Sequence, residues 1–123
     1  MKRQIILDTD PGNDDLLAII MALKSDLIHV RGLTVVGGNA SIENTTNNAL
    51  GLLAYMERTE IPVYVGDASA LNEISTSPEE FEEFKSHRIE IHGETGLHVT
   101  LPKPSITPQK THAVDFIISE AEA

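Results

Sequence analysis

An acidic stretch near the N-terminus constrains this chain more than any other feature. From Asp8 to Asp15 the sequence reads Asp-Thr-Asp-Pro-Gly-Asn-Asp-Asp, which places four carboxylates within eight residues. The stretch follows the apolar run Ile5-Ile6-Leu7. That run is too short for a soluble helix and has the β-branched character of a buried strand. We therefore predict a strand that leads directly into an acidic turn.

The residues after this strand predict a tight strand-turn-helix corner. Asp8 and Asp10 are two positions apart, so in an extended backbone their side chains point to the same face. Pro11-Gly12 predicts a turn. Asn13 is then placed to cap a helix whose first turn contains the last two acids. The corner therefore gathers the four carboxylates at the end of a strand.

Clustered carboxylates need compensating positive charge. Neighbouring acids raise one another's pKa or bind a cation, and a helix N-terminus supplies only about half a positive charge. A hard divalent ion such as Ca²⁺ or Mg²⁺ suits oxygen ligands of this kind. The stretch is not an EF-hand loop, because the sixth and twelfth positions counted from Asp8 are Asn13 and Ile19 rather than Gly and Glu. A turn with acidic helix capping is the simpler alternative, although it needs only one or two acids.

Composition and charge restrict the class of protein. The chain has 123 residues, of which 41% are hydrophobic, and this is enough for one small domain with a core. The net charge of −10 argues against nucleic acid and membrane surfaces as partners, because both bind basic patches. The absence of cysteine excludes disulfides, thiolate zinc sites and a Cys nucleophile. With no apolar leader at the N-terminus, we expect a cytoplasmic protein.

Alternating strand and helix patterns predict an α/β fold. A helical pattern runs from the acidic corner to about Lys24 and is followed by a strand over Ile28–Val36. A second helix should begin after Ser41 as its N-cap and end at about Arg58, before a third strand over Ile61–Val65. This βαβαβ order predicts an open, mostly parallel, Rossmann-like sheet.

The carboxyl ends of the three predicted strands all carry candidate site residues. Ligands of such sheets bind at the carboxyl ends of the strands. The acidic corner follows the first strand, Gly37–Asn39 follows the second, and Gly66-Asp67 follows the third. We therefore predict that three loops converge on one edge of the sheet.

The residues after the third strand do not continue the alternating strand and helix pattern. Residues 67–106 contain a short acidic surface helix over Pro78–Phe84, and we interpret 67–106 as a long loop that covers the site. A last helical pattern runs from Thr111 to about Ala121, and no fourth strand follows it. No metal-ligand spacing is shared by the scattered histidines His29, His87, His98 and His112.

Together these motifs resemble the nucleoside hydrolase family of the inosine-uridine-preferring type. The DTDPGxDD motif is highly specific, whereas the others would be weak alone. They occur in the family order and cover most of the chain: Asp8–Asp15, Gly37–Asn39, Glu43–Ala49, Pro62–Gly66 and His92–Leu97. In one departure, His98-Val99 stands where the family often has Gly-Gly, which affects the covering loop.

The resemblance implies a Ca²⁺-dependent N-glycosidase that hydrolyses ribonucleosides to ribose and free base. By residue-by-residue correspondence, Asp10 and Asp15 resemble the metal ligands, and Asp10 also resembles the base that activates the attacking water. Asp8 corresponds to an anchor behind the ligands. Such a metal lowers the pKa of its bound water, and nearby carboxylates stabilise an oxocarbenium-like sugar.

The same resemblance implies the substrate contacts. Asp14 resembles the residue that binds a ribose hydroxyl, Asn39 corresponds to an Asn on the ribose side, and His92 lies in a motif near the nucleobase. The expected partner is a ribonucleoside, and the full-length enzyme is expected to be a homo-oligomer.

Family members are two to three times longer than this chain, so we expect residues 1–123 to be the N-terminal α/β portion of a larger catalytic domain. The later metal ligands and the leaving-group acid have no counterpart here, and we expect the chain alone to be inactive. An unpaired sheet edge should also make it self-associate or be marginally stable.

Two other classes of function remain open. One is a haloacid-dehalogenase-like phosphohydrolase, in which Asp8 would be the nucleophile and Asp10 the acid. The Pro11-Gly12 turn and the two acids that follow it do not fit that class. The other is a non-catalytic binding module.

Overall fold

A computed structural model describes residues 1–70 and 77–123. Three parallel strands form one sheet in the order β1-β2-β3, which confirms the predicted α/β class. The elements in chain order are β1 (Arg3–Thr9), α1 (Asn13–Lys24), β2 (Ile28–Val35), α2 (Ile42–Tyr55), β3 (Val63–Val65), α3 (Pro78–His92) and α4 (Ala113–Glu122).

The boundaries of the first five elements agree with the sequence patterns to within a few residues. Ser41 is the N-cap of α2 as predicted, and its side chain accepts a hydrogen bond from the Asn44 N–H. α2 ends at Tyr55 rather than near Arg58. β3 begins only at Val63.

Helix α3 is longer than the sequence predicted. It runs from Pro78 to His92 instead of ending near Phe84, and it has no buried residue. Ser77 and Glu80 form a capping box at its N-terminus. Residues 71–76, which belong to the proposed covering segment, lie outside the described residues. Within residues 1–70 and 77–123, no helix has both the length and the apolar content to cross a bilayer.

The main core lies between the sheet and helices α1 and α2. Both right-handed crossovers place their helices on the same face, because the strands follow one another in sequence order. The most deeply buried apolar side chains belong to this layer: Ile19, Leu33, Leu52, Leu53, Val35 and Val63. The burial of these side chains fixes the orientation of the strands, and therefore the side of the sheet at which their carboxyl ends lie.

Helix α4 covers the other face of the sheet. Tyr64 follows the core residue Val63 and therefore points to that opposite face. Its ring stacks on Phe116 with 3.8 Å between centroids and 7° between planes. Arg31 and Glu120 add a two-point ion pair, with the Nε–Oε2 distance at 2.8 Å. These contacts hold α4 across the sheet from β3 toward β1.

Candidate functional site

The acidic corner is a strand end joined directly to a helix N-terminus. The sequence interpretation of Asn13 as the N-cap is wrong: Gly12 is the N-cap, and Asn13 is the first helical residue. The Gly12 N–H donates to Asp15 Oδ2 at 3.2 Å. Glycine is required here by space, since a Cβ at Gly12 would lie 2.8 Å from Asn39 Nδ2. Asp15 therefore does serve in capping, as the simpler alternative supposed.

Asn39 joins two of the predicted acids. Its backbone N–H donates to Asp10 Oδ2 at 2.9 Å. Its side-chain Nδ2 donates to Asp15 Oδ2 at 3.0 Å and to the Asp10 carbonyl oxygen at 3.0 Å. The structure thus brings Asp10, Asp15 and Asn39 into one hydrogen-bonded cluster between the ends of β1 and β2.

Burial and charge both act on Asp15. Its pKa is raised above the ordinary value of an aspartate, first because burial penalises the charged form. The Gly12 N–H opposes this shift, whereas the negative charges of Asp10 and Asp14 add to it. A site in which ionisation is disfavoured in this way gains from a bound cation.

The two remaining acids occupy the margins of the cluster. Asp14 is exposed in the first turn of α1, near enough for its charge to act on Asp15. Asp8 lies on β1, where its Oδ1 accepts a hydrogen bond of 2.6 Å from the Thr34 hydroxyl. Asp8 is therefore tied to β2, and its role as an anchor behind metal ligands stays a prediction.

Two glycines allow the loop after β2 to approach its neighbours. A Cβ at Gly38 would collide with Asp10 Oδ2, and a Cβ at Gly37 would collide with the Ala68 carbonyl oxygen. The Gly37 N–H donates to the Asp67 carbonyl oxygen at 3.1 Å. All three predicted loops therefore meet at the carboxyl edge of the sheet.

Asparagine side chains attach residues 93–98 to this corner. Asn48 is 7% exposed, and its Nδ2 donates to the carbonyl oxygens of Pro11 at 2.9 Å and Thr95 at 2.7 Å. Asn44 donates to the Glu94 carbonyl oxygen. Asn13 Oδ1 accepts from the His98 N–H at 3.0 Å. The segment therefore lies beside the acidic turn.

His92 lies at the end of a helix and is not joined to the cluster by any hydrogen bond among the described residues. It is the last residue of α3, and Gly93 follows it with a φ of 73°. Among the described residues, the hydrogen bonds of the acidic corner do not include its ring. Its predicted role near the nucleobase stays a prediction.

Sequence reasoning missed two residues of the site. Thr34 stands opposite Asp8 in the strand register, but no local pattern singles out one threonine of a buried strand. Asn48 carried a usable signal, because it is a polar residue within the apolar stripe of α2. A buried carboxamide needs hydrogen-bond partners, and here those partners belong to two loops.

The donor chemistry suits calcium, but the number of donors is small. Asp10 and Asp15 supply carboxylate oxygens, whereas Ca²⁺ takes about six to eight oxygen ligands. Within the part of the chain that the structure describes, no group of three or more His, Cys, Asp or Glu side chains could hold a metal ion. A calcium ion bound here would need further oxygen ligands besides these two carboxylates, and water, backbone carbonyl and amide oxygens can serve as such ligands.

Sequence comparison identifies the family. The model of the inosine-uridine preferring nucleoside hydrolases matches residues 5–123. The chain therefore belongs to the inosine-uridine-preferring nucleoside hydrolase family.

Individual relatives and solved structures agree with this assignment. The pyrimidine-specific ribonucleoside hydrolase RihA of Photobacterium profundum is 38% identical over 98% of the chain and 37% of the relative. A purine-preferring ribonucleoside hydrolase from Gardnerella vaginalis superimposes with a TM-score of 0.82 at 32% identity, over 98% of this chain and 36% of that one. A plant nucleoside hydrolase, PpNRh1, gives 0.80 at 36% identity over 99% and 36%. The chain spans a little over a third of the length of these proteins.

Proposed function

We propose that this chain forms part of a ribonucleoside hydrolase that cleaves the N-glycosidic bond between ribose and a nucleobase. The observation that carries the proposal is the cluster in which Asn39 holds Asp10 and Asp15 together at the carboxyl edge of a parallel sheet. Relatives with this segment are named ribonucleoside hydrolases. The names differ in base preference, so the proposal extends to ribonucleosides as a class.

Asp10 is the proposed base. One of its carboxylate oxygens, Oδ2, accepts the Asn39 N–H, which fixes the orientation of the carboxylate. The other oxygen is free to take a proton from an attacking water, since no described residue donates a hydrogen bond to it. A positioned base of this kind contributes about 10²–10⁴-fold to a rate.

Asp10 and Asp15 are also the proposed ligands of Ca²⁺. The ion would supply charge stabilisation and a water of lowered pKa. Asp15 contributes an oxygen whose ionisation is otherwise disfavoured by burial and by its acidic neighbours.

Asp14 is the proposed ribose contact, because it is exposed at the mouth of the cluster. Asn39 and His92 are proposed substrate contacts on the ribose and nucleobase sides. As the bond to the base breaks, positive charge develops on the sugar, and the surrounding carboxylates stabilise it electrostatically. Asp8 is held in place behind the proposed site by the hydrogen bond from Thr34.

The reaction is tested in a single-chain chimera in which residues 1–123 replace the matched segment of the Photobacterium profundum relative. We expect release of free base from inosine or uridine in the presence of Ca²⁺, and loss of that release on chelation. Asp10→Asn should lower kcat by about 10²-fold or more. Asp26→Asn, at an exposed acid beyond α1, should leave kcat unchanged. A folded chimera that releases no base contradicts the proposed reaction.

For the 123-residue chain alone, the small number of metal donors favours binding without turnover. Titration with Ca²⁺ should then raise the free energy of unfolding by RT ln(1 + [L]/Kd). This gain is seen as a higher melting temperature. Asp10→Asn should reduce that rise. A melting temperature that does not respond to Ca²⁺ contradicts cation binding by the isolated chain.

A further inference from the structure

Helix α3 carries an apolar stripe that the described chain does not cover. The helix has 15 residues, and none of them is buried. Three of its large apolar side chains are 40%, 53% and 55% exposed: Phe81, Phe84 and Ile91. A helix of this length is only marginally stable in water unless it packs against another surface. The stripe therefore needs a partner.

The spacing of this stripe is typical of a seam between two helices. Intervals of three, four and three residues separate Phe81, Phe84, Arg88 and Ile91. Such intervals place side chains along one line of a helix, as at the a and d positions of a coiled coil. Ile89, which is 38% exposed, lies off this line. The seam is therefore confined to one face of α3.

The charges of α3 are divided between its two halves. The first half carries four acids: Glu79, Glu80, Glu82 and Glu83. The second half carries the basic side chains: Lys85, His87, Arg88 and His92. Among these basic residues the one acid is Glu90. An identical helix in antiparallel orientation therefore brings unlike halves together, whereas a parallel one brings like halves together.

Arg88 also favours the antiparallel orientation. Its Nε is buried and has no hydrogen-bond partner among the described residues. In a parallel pair the two Arg88 side chains would face each other. In an antiparallel pair each lies opposite Phe84 of the second copy and near its Glu80, which supplies a cation–π contact and a carboxylate acceptor. A single charged residue in such a seam fixes how the helices align.

We propose that α3 pairs antiparallel with the α3 of a second copy of this chain, about a twofold axis near Ser86. Both copies use the same surface, so the pair closes as a dimer. Phe81 packs against Ile91 of the second copy, and Phe84 packs against its Arg88. One helix of about 22 Å from each copy makes a contact smaller than the standard interface of roughly 1,600 Å². We therefore expect a dissociation constant in the micromolar range. This pairing does not depend on the proposed reaction.

The oligomeric state of the 123-residue chain tests the pairing. Sedimentation velocity from low micromolar to several hundred micromolar protein should show a monomer converting to a dimer. Phe84→Glu places a carboxylate in the seam, and Arg88→Glu replaces the cation with a charge that Glu80 of the second copy repels. Each should raise the dissociation constant by about tenfold or more. Ile89→Glu, the same kind of change on the same helix but off the seam, should leave it unchanged.

Cross-linking tests the orientation, and the absence of cysteine from the chain makes the result specific. A mixture of tagged Phe81→Cys and untagged Ile91→Cys chains should form a disulfide-linked heterodimer on mild oxidation. Phe81→Cys alone should form little linked dimer, because the two substituted positions then lie at opposite ends of the seam.

Three outcomes would overturn the inference. One is a chain with the circular dichroism of a folded protein that stays monomeric over the whole concentration range. Another is self-association that Phe84→Glu and Arg88→Glu leave unchanged, which would indicate a different surface, such as the open edge of β1. The third is efficient linking of Phe81→Cys to itself, which would indicate a parallel pair. None of these measurements involves release of base, so failure here is distinct from failure of the proposed reaction.

Discussion

The carboxamide of Asn39 donates to the carboxylate of Asp15 across a separation of 24 residues, with 3.0 Å between Nδ2 and Oδ2. The same nitrogen contacts the Asp10 backbone. One side chain from the loop after β2 thus fixes both ends of the acidic turn. The geometry of the cluster therefore depends on the packing of β1 against β2.

Asn39→Ala should loosen this cluster. The substitution leaves the Asp10 carbonyl and one Asp15 oxygen without their shared donor, and an unsatisfied polar group costs about 1–3 kcal/mol. The free energy of unfolding in urea measures the loss. Asn47→Ala, at an exposed position in α2, should change it little. Equal stability of the two variants would contradict the importance of these bonds.

Asp15→Asn should change stability in opposite directions without and with calcium. The pKa of Asp15 is raised in the folded state, chiefly by burial. The stability that this carboxyl group contributes is therefore complete below its unfolded pKa and is lost as pH rises through its folded pKa. In calcium-free buffer, the stability of the variant relative to the wild type should therefore increase as the pH is raised to neutrality from below the ordinary Asp pKa of about 4.

In saturating Ca²⁺ the order should reverse, because only the wild type keeps both carboxylate ligands. Melting curves of the 123-residue chain over this pH range, with Asp26→Asn as the control, measure both effects. If instead the stability of the variant relative to the wild type falls as pH rises over this range without calcium, the charge of Asp15 favours folding.

Gly38→Ala should weaken calcium binding more than it weakens folding. A Cβ at this position overlaps Asp10 Oδ2, so the carboxylate must turn away from the Asn39 N–H. Gly38 lies in a loop outside the core, and the cost in unfolding free energy should stay small. Calorimetric titration with Ca²⁺ measures the affinity. Unchanged affinity would indicate that Asp10 does not need this orientation.

Asn48→Leu should release residues 93–98 from the acidic turn. Leucine fills a similar volume but donates no hydrogen bond, which leaves the carbonyl oxygens of Pro11 and Thr95 unpaired. Limited proteolysis within 93–98 should become faster than in the wild type. Asn47→Leu, one residue away and exposed, provides the matched control. Identical cleavage rates in the two variants would show that Asn48 does not hold the segment.

Local sequence determined most of the secondary structure and the position of the acidic stretch after β1. The apolar runs of β1 and β2, the serine cap of α2 and the clustered acids are all short-range signals, and they predicted a parallel sheet with carboxylates at its carboxyl edge. Short-range reasoning was less reliable at helix ends. Gly12 rather than Asn13 caps α1. The close approach of Asn39 leaves little room for a side chain at Gly12.

Tertiary structure decided which groups meet. Thr34 reaches Asp8 through strand register, Asn39 bridges two acids, and Asn48 links two loops, over separations that no local pattern encodes. The exposed edge of β1 was likewise visible only once strand order was known. Propensity and periodicity act over a few residues, whereas hydrogen bonds between distant segments form only after burial has fixed the sheet and its helices.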